Sequence, residues 1–175
     1  RQAFQTALGE YMKGQEAVAE QPAAHLSMAV IWANQQKWKQ AEDAYQTALR
    51  LAPRFIPARV NLAMLLDRLG RKAEAAEQFR EVLKINPQFS EAHYSLGLLL
   101  AEDEAKLAEA AEHLKQAAEL MPENARVWYN LGLALQKLKR YEEGATALKR
   151  SAKLSPDPTD AVYALALLYV QQEKL

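Results

Sequence analysis

Three histidines, His25, His93 and His113, are the only imidazoles in this 175-residue chain, and cysteine is absent. An imidazole can bind a metal or move a proton, but each use needs a partner at a defined spacing. That partner is a second ligand one helical turn away, or a nucleophile or carboxylate beside it. No HExxH and no pair of histidines at i, i+4 occurs. GxSxG, the Walker loop and GxGxxG are also missing. The acidic run Glu102-Asp103-Glu104 lacks the alternating ligands and central glycine of a calcium loop, and reads as a solvated turn. Without cysteine there is no thiolate nucleophile, disulfide framework or cysteine-based zinc site. The expectation is a chain with no catalytic residues, no metal site and no cofactor: not an enzyme.

The remaining chemistry is recognition. Residues 128–144 read WYNLGLALQKLKRYEEG, with Trp128, Tyr129 and Asn130 side by side. Tyrosine offers contact area at low rotamer cost plus a hydroxyl. Asparagine can satisfy both the N–H and the C=O of a partner backbone. The trio could equally be scaffold, and the elements that carry it decide between the two.

Those elements repeat. Prolines stand at 53, 87, 122 and 156, at steps of 34, 35 and 34. Nine residues after each comes Leu62, Leu96, Leu131 or Leu165, followed by a small residue: Ala63, Gly97, Gly132 or Ala166. The frame extends back to Met28-Ala29. A second small residue follows at Ala41, Ala75, Ala110 and Gly144, and four residues later a large one, Tyr45, Phe79, Leu114 or Leu148. Apolar residues three and four apart mark one helical face. Paired small and large residues suit two antiparallel helices that cross closely, and each proline punctuates the passage between units.

Composition agrees with a soluble helical repeat. Half the residues are apolar, and Lys+Arg and Asp+Glu both number 22. No basic excess or stripe marks a nucleic-acid or anionic-membrane partner. The longest apolar runs, such as YALALLYV at 163–170, fall short of the roughly 20 residues of a membrane span. No signal-peptide pattern is present. The chain opens on Arg1 and stops within a helical pattern, as an excised piece of something longer would. The compartment, cytoplasmic or periplasmic, stays open.

A 34-residue helix-turn-helix with W-x2-L-G-x2-Y, then Ala, a large apolar residue and Pro, resembles the tetratricopeptide repeat (TPR) family. Trp128, Leu131, Gly132, Leu135, Gly144 and Pro156 occupy its signature positions. The resemblance implies an all-α, right-handed superhelical α-solenoid of antiparallel helix pairs, read here as one domain over 1–175. Complete repeats are expected at 22–55, 56–89, 90–124 and 125–158, and the first helix of a truncated fifth at 159–175. Residues 1–21 are read as the helix of a degenerate preceding repeat, since FQTAL at 4–8 echoes YQTAL at 45–49. The chain departs from the family where His25, Arg59, His93 and Val162 replace tryptophan, and where Gln36 and Lys139 replace the turn glycine kept at Gly70.

In TPR proteins the first helices line a concave groove that holds a peptide. What the resemblance implies here is a groove lined by Leu26, Val30, Val60, Asn61, Met64, Tyr94, Leu98, Tyr129, Asn130, Leu133 and Tyr163, suited to an apolar or aromatic segment. Trp128 faces the preceding repeat and is expected to be scaffold. The clamp that some TPR domains use for chaperone C-terminal carboxylates is not expected. In its two registers only Asn61 or only Arg126 fits, against Leu26, Val30, Glu91 and Ser95, or Val60, Met64, Ser95 and Asn130.

The expected partner is thus a protein or peptide. An alternative is self-association, or docking on another domain of the parent chain, through the apolar segment 159–175. PRFIPARVNLAMLLDRLGR at 53–71, with EYMKGQEAVAEQP before it, is also similar to TPR tails of bacterial multihaem cytochrome-type proteins. That implies an exported parent with haem elsewhere; no CxxCH lies in this segment.

Overall fold

The computed structural model describes residues 21–173, so the helix expected at the N-terminus lies almost wholly outside the described residues. Among those described there are nine α-helices and no strand. The chain divides into two compact units, residues 1–85 and 86–175.

The first unit holds α1 (Pro22–Asn34), α2 (Trp38–Leu51), α3 (Ile56–Arg68) and α4 (Lys72–Ile85). Consecutive helices pack on one another. Pro22 and Pro57 sit in the first turns of α1 and α3, where an N–H would have no helical partner anyway. In the second unit α5 (Ser90–Leu100) leads through a 3-10 turn, Glu104–Lys106, to α6 (Leu107–Leu120). Then come α7 (Ala125–Lys137), α8 (Tyr141–Leu154) and α9 (Thr159–Glu173). Asn124 caps α7, its Oδ1 accepting from the backbone N–H groups of Arg126 and Val127 at 3.1 and 3.4 Å.

The small and large residues recognised in the sequence form the core. Ala29, Ala41, Tyr45, Ala63, Ala75, Phe79, Ala110, Leu114 and Leu148 are all buried. The pair α7–α8 shows how close the crossing is. A Cβ added to Gly132 would stand 2.6 Å from Leu148 Cγ and 3.2 Å from the Gly144 carbonyl. One added to Gly144 would meet the Gly132 carbonyl at 3.2 Å. Each glycine makes room for the other helix's backbone.

Ala166 differs from its counterparts. It is exposed, because no second helix among the described residues covers that side of α9.

The turns within pairs need one left-handed residue each. Gly70 takes it at φ 76°, and Gln36 and Lys139 take it at φ 59°, as their places in the repeat implied. The third turn carries an extra residue and closes differently, through the 3-10 turn and an ion pair from Lys106 to Asp103 at 3.0 Å. That contact, with the Ala105 N–H, holds the Asp103 carboxyl below the usual carboxylate range.

Two substitutions test this account by thermal or denaturant melting. Gly132→Val should lower stability by about 1–3 kcal/mol through overpacking; an unchanged midpoint would contradict the close crossing. Lys139→Gly should raise stability by about 0.5–1 kcal/mol, because a left-handed conformation strains any side chain while glycine loses more chain entropy on folding. A drop would refute the strain at that turn.

Candidate functional site on the first helices

In the first unit, the expected groove residues come from α1 and α3. Leu26, Val60 and Asn61 are half-buried, while Val30 and Met64 are exposed, Met64 by 59%. Met28 and Ile31 on α1 are exposed as well. The groove reading passed over them because they fall between its chosen positions.

In the second unit, α5 supplies Tyr94 and Leu98, α7 supplies Tyr129, Asn130 and Leu133, and α9 supplies Tyr163. Tyr94 packs against the cluster built on Val127 and Leu131. Tyr129 and Leu133 pack against Ala145, Leu148, Ala164 and Leu168. Leu98 keeps 36% of its surface and Tyr163 66%. In each unit the predicted groove residues lie on first helices, with apolar side chains only partly covered.

The polar rail is less free than its composition implied. Ser27 Oγ donates to the Ala23 carbonyl at 3.0 Å, Asn61 Nδ2 to Pro57 at 2.8 Å and Asn130 Nδ2 to Arg126 at 3.0 Å. Each side chain is tied to its own helix one turn back, so the two asparagines present mainly an acceptor oxygen to a partner. Asn130 makes a second bond, from Nδ2 to the Tyr94 hydroxyl oxygen at 2.9 Å. This bond joins α7 to α5 across neighbouring repeats.

Beside it an open pocket of about 410 Å³ is lined by Arg126, Tyr129, Asn130, Ser155, Asp157 and Asp160, with small residues between them. A second, apolar pocket of about 270 Å³ lies among α6, α7 and α8, floored by Leu131, Leu135 and Trp128. It was not foreseen.

Trp128 is half-buried on the α6–α7 core, and its Nε1 donates to the Pro122 carbonyl at 2.9 Å. Two of the residues that replace tryptophan, Arg59 and His93, keep this bond. Arg59 Nη2 donates to Pro53 at 2.7 Å, and His93 Nε2 to Pro87 at 3.0 Å. Arg59 also donates to Gln78 at 3.0 Å, while its buried Nε finds no partner.

His93 Nδ1 lies 2.9 Å from His113 Nδ1. A carbonyl can only accept, so His93 donates through Nε2, and in the neutral ring its Nδ1 is the bare acceptor. His113 must then donate through Nδ1, and its Nε2 is turned toward Glu109 at 3.9 Å. Among the described residues no group of three or more His, Cys, Asp or Glu is placed to hold a metal ion. No described helix is long and apolar enough to cross a membrane.

A further bond repeats between second helices. Arg71 joins Glu42 of α2 to Glu74 of α4, at 2.8 and 2.7 Å. Arg140 bonds Glu143 of α8 at 2.7 Å and approaches Glu112 of α6 at 3.7 Å. The arginines hold the Glu74 and Glu143 carboxyls below the ordinary glutamate range.

Models of the tetratricopeptide repeat match residues 33–99 and 125–158, and a TPR-repeat model matches residues 105–139. The chain belongs to the TPR family. Its TPR helix pairs superpose on those of MamA from Desulfovibrio magneticus RS-1 with a TM-score of 0.80 at 21% identity, covering 87% of this chain and 85% of that one. YrrB, described as a TPR protein with an unusual peptide-binding site, gives 0.82 at 20% identity over 93% and 84%.

Among curated proteins, human Protein O-mannosyl-transferase TMTC3 is 28% identical over 112 residues, 55% of this chain but 12% of that protein. The uncharacterized protein ycf37 of Cyanophora paradoxa is 33% identical over 73 residues, 42% of each. This chain therefore spans less than half the length of these curated relatives.

Nitrogen-detected imidazole spectra test the histidine pair directly. The neutral protein should show His93 as the Nε2–H tautomer and His113 as the Nδ1–H tautomer. The reverse assignment would overturn the bond to Pro87.

Proposed function

We propose that this TPR chain is a protein-interaction scaffold, not an enzyme, and that its first helices hold a peptide segment of a partner. The observation that carries the reading is partial exposure of apolar side chains beside polar atoms on those helices. Met64, Leu98 and Tyr163 keep 59%, 36% and 66% of their surface, next to the asparagine oxygens of α3 and α7. Apolar surface of this kind is held in reserve for a partner more often than it is left in water, and a peptide gains from apolar anchors together with backbone acceptors. YrrB, with its peptide-binding site, supports the same reading by analogy of fold. The transferase name of TMTC3 belongs to a protein of which this chain matches 12%.

The test is selection of a random 12-residue displayed peptide library on the whole chain, with enriched peptides remeasured by fluorescence anisotropy. Leu98→Glu, checked by circular dichroism for a native spectrum, should weaken binding by at least about tenfold, since a buried unpaired charge is costly. Equal binding to both proteins, or no enrichment, would sink the groove reading.

One observation favours a second reading, self-association. On α9, Val162, Tyr163, Leu167, Tyr169 and Val170 are all exposed, on more than one side of the helix. Sedimentation velocity across a wide concentration range separates the two readings. A particle that stays monomeric when concentrated removes self-association.

A further inference from the structure

The junctions α5–α7 and α7–α9 are built on the same repeat but closed differently. At the first, the Tyr94 hydroxyl meets Asn130 Nδ2 at 2.9 Å. At the second, Tyr129 stands where Tyr94 stood, but Ala164 takes the place of the asparagine and is buried against the Tyr129 ring. The cross-repeat hydrogen bond is therefore missing at this junction, where the 410 Å³ pocket lies between Arg126, Tyr129 and Asn130 of α7 and Asp160 and Ala161 of α9.

Its walls carry polar ends that the fold leaves unused. Neither the Tyr129 hydroxyl, the Arg126 guanidinium nor the Asp160 carboxylate bonds another described residue. Asn130 has spent its N–H groups and keeps its oxygen. Asp157 accepts the Thr159 N–H at 3.1 Å and the Thr159 hydroxyl at 2.6 Å, both on Oδ1, which leaves Oδ2 toward the pocket. The Thr159 contacts hold its carboxyl below the usual carboxylate range.

We infer that this pocket is a specificity subsite for a basic side chain, lysine or arginine, of the bound segment. The inference rests on the groove reading and adds the chemistry of one position in it. Two exposed carboxylates and one exposed guanidinium line the pocket, an acidic excess that attracts a cation. The Asn130 oxygen and the Tyr129 hydroxyl add acceptors for its N–H groups. The aliphatic stem lies along Ala125, Ala161 and the Tyr129 ring, as long charged side chains do when they cover apolar surface. Arg126, at the other wall, is left for a backbone carbonyl of the same segment. The pocket thus adds a charged anchor to a face otherwise lined by apolar residues.

The same peptide selection reads the result. Peptides enriched on the whole chain should share one lysine or arginine position. Replacing that residue by norleucine should weaken binding about tenfold in low salt and less at high salt, since exposed charges are screened. Asp160→Asn should reduce the loss caused by norleucine to about twofold. Asp160→Lys should shift the selected residue to aspartate or glutamate. Circular dichroism melts on both variants confirm that α9 still forms. Enriched peptides with no basic position, or a basic position indifferent to Asp160→Asn, would overturn the subsite and leave the groove intact. Absence of any enrichment would remove both.

Discussion

Two helices can approach to backbone contact only where side chains are missing from their facing surfaces. In this chain that condition recurs once per helix pair and sets the rest of the geometry. Gly132 and Gly144 let α7 and α8 meet backbone to backbone, and Leu148 fills the space over Gly132. Ala63 with Ala75, and Gly97 with Ala110, repeat the arrangement in α3–α4 and α5–α6, with Phe79 and Leu114 as the large partners. Once the crossing is set, the direction of every other side chain on the first helix follows. One face is committed to the pair, another to the neighbouring repeat, and the third stays partly exposed.

The repeats are then joined by a few polar bonds. Arg71 bonds Glu42 of the preceding second helix, Arg140 approaches Glu112 of its own predecessor at 3.7 Å, and the Tyr94–Asn130 bond links successive first helices. The link at Arg140 is exposed and adds little, while the link from Arg71 to Glu42 is part-buried. Their use is in register, because a bidentate guanidinium accepts a carboxylate in one orientation. The link on the first helices is more selective in its consequences. It is made between α5 and α7; between α7 and α9 Ala164 replaces the asparagine, and a polar cavity lies at that junction.

Much of this was legible in the residues themselves. The proline steps and the small–large pairs mark the helix pairs because close packing imposes a fixed spacing on both. Gln36 and Lys139 marked left-handed turns by falling where Gly70 falls. Contacts between repeats were less accessible. The Tyr94–Asn130 pair joins residues 36 positions apart, and its meeting depends on how one helix pair is rotated against the next; His93 and His113 meet within one pair, 20 positions apart, across a turn that departs from the common length. The tether of Asn61 and Asn130 to their own helices was also missed, although an asparagine one turn after a first-turn carbonyl is a recognisable signal. The missing bond at Tyr129 could have been suspected from Ala164, the one wholly apolar residue in a column of serine and asparagine.

The bond to the proline carbonyl changes what counts as a substitution in this kind of protein. Arg59, His93 and Trp128 share neither size, charge nor aromatic character, yet each delivers an N–H to the carbonyl six residues behind it. What the repeat keeps there is a donor at a given reach, not a residue type. A ranking of sequences by similarity to tryptophan therefore scores two faithful repeats as degenerate. Val162, which has no N–H to offer in its side chain, is a member of the column that cannot make the tether.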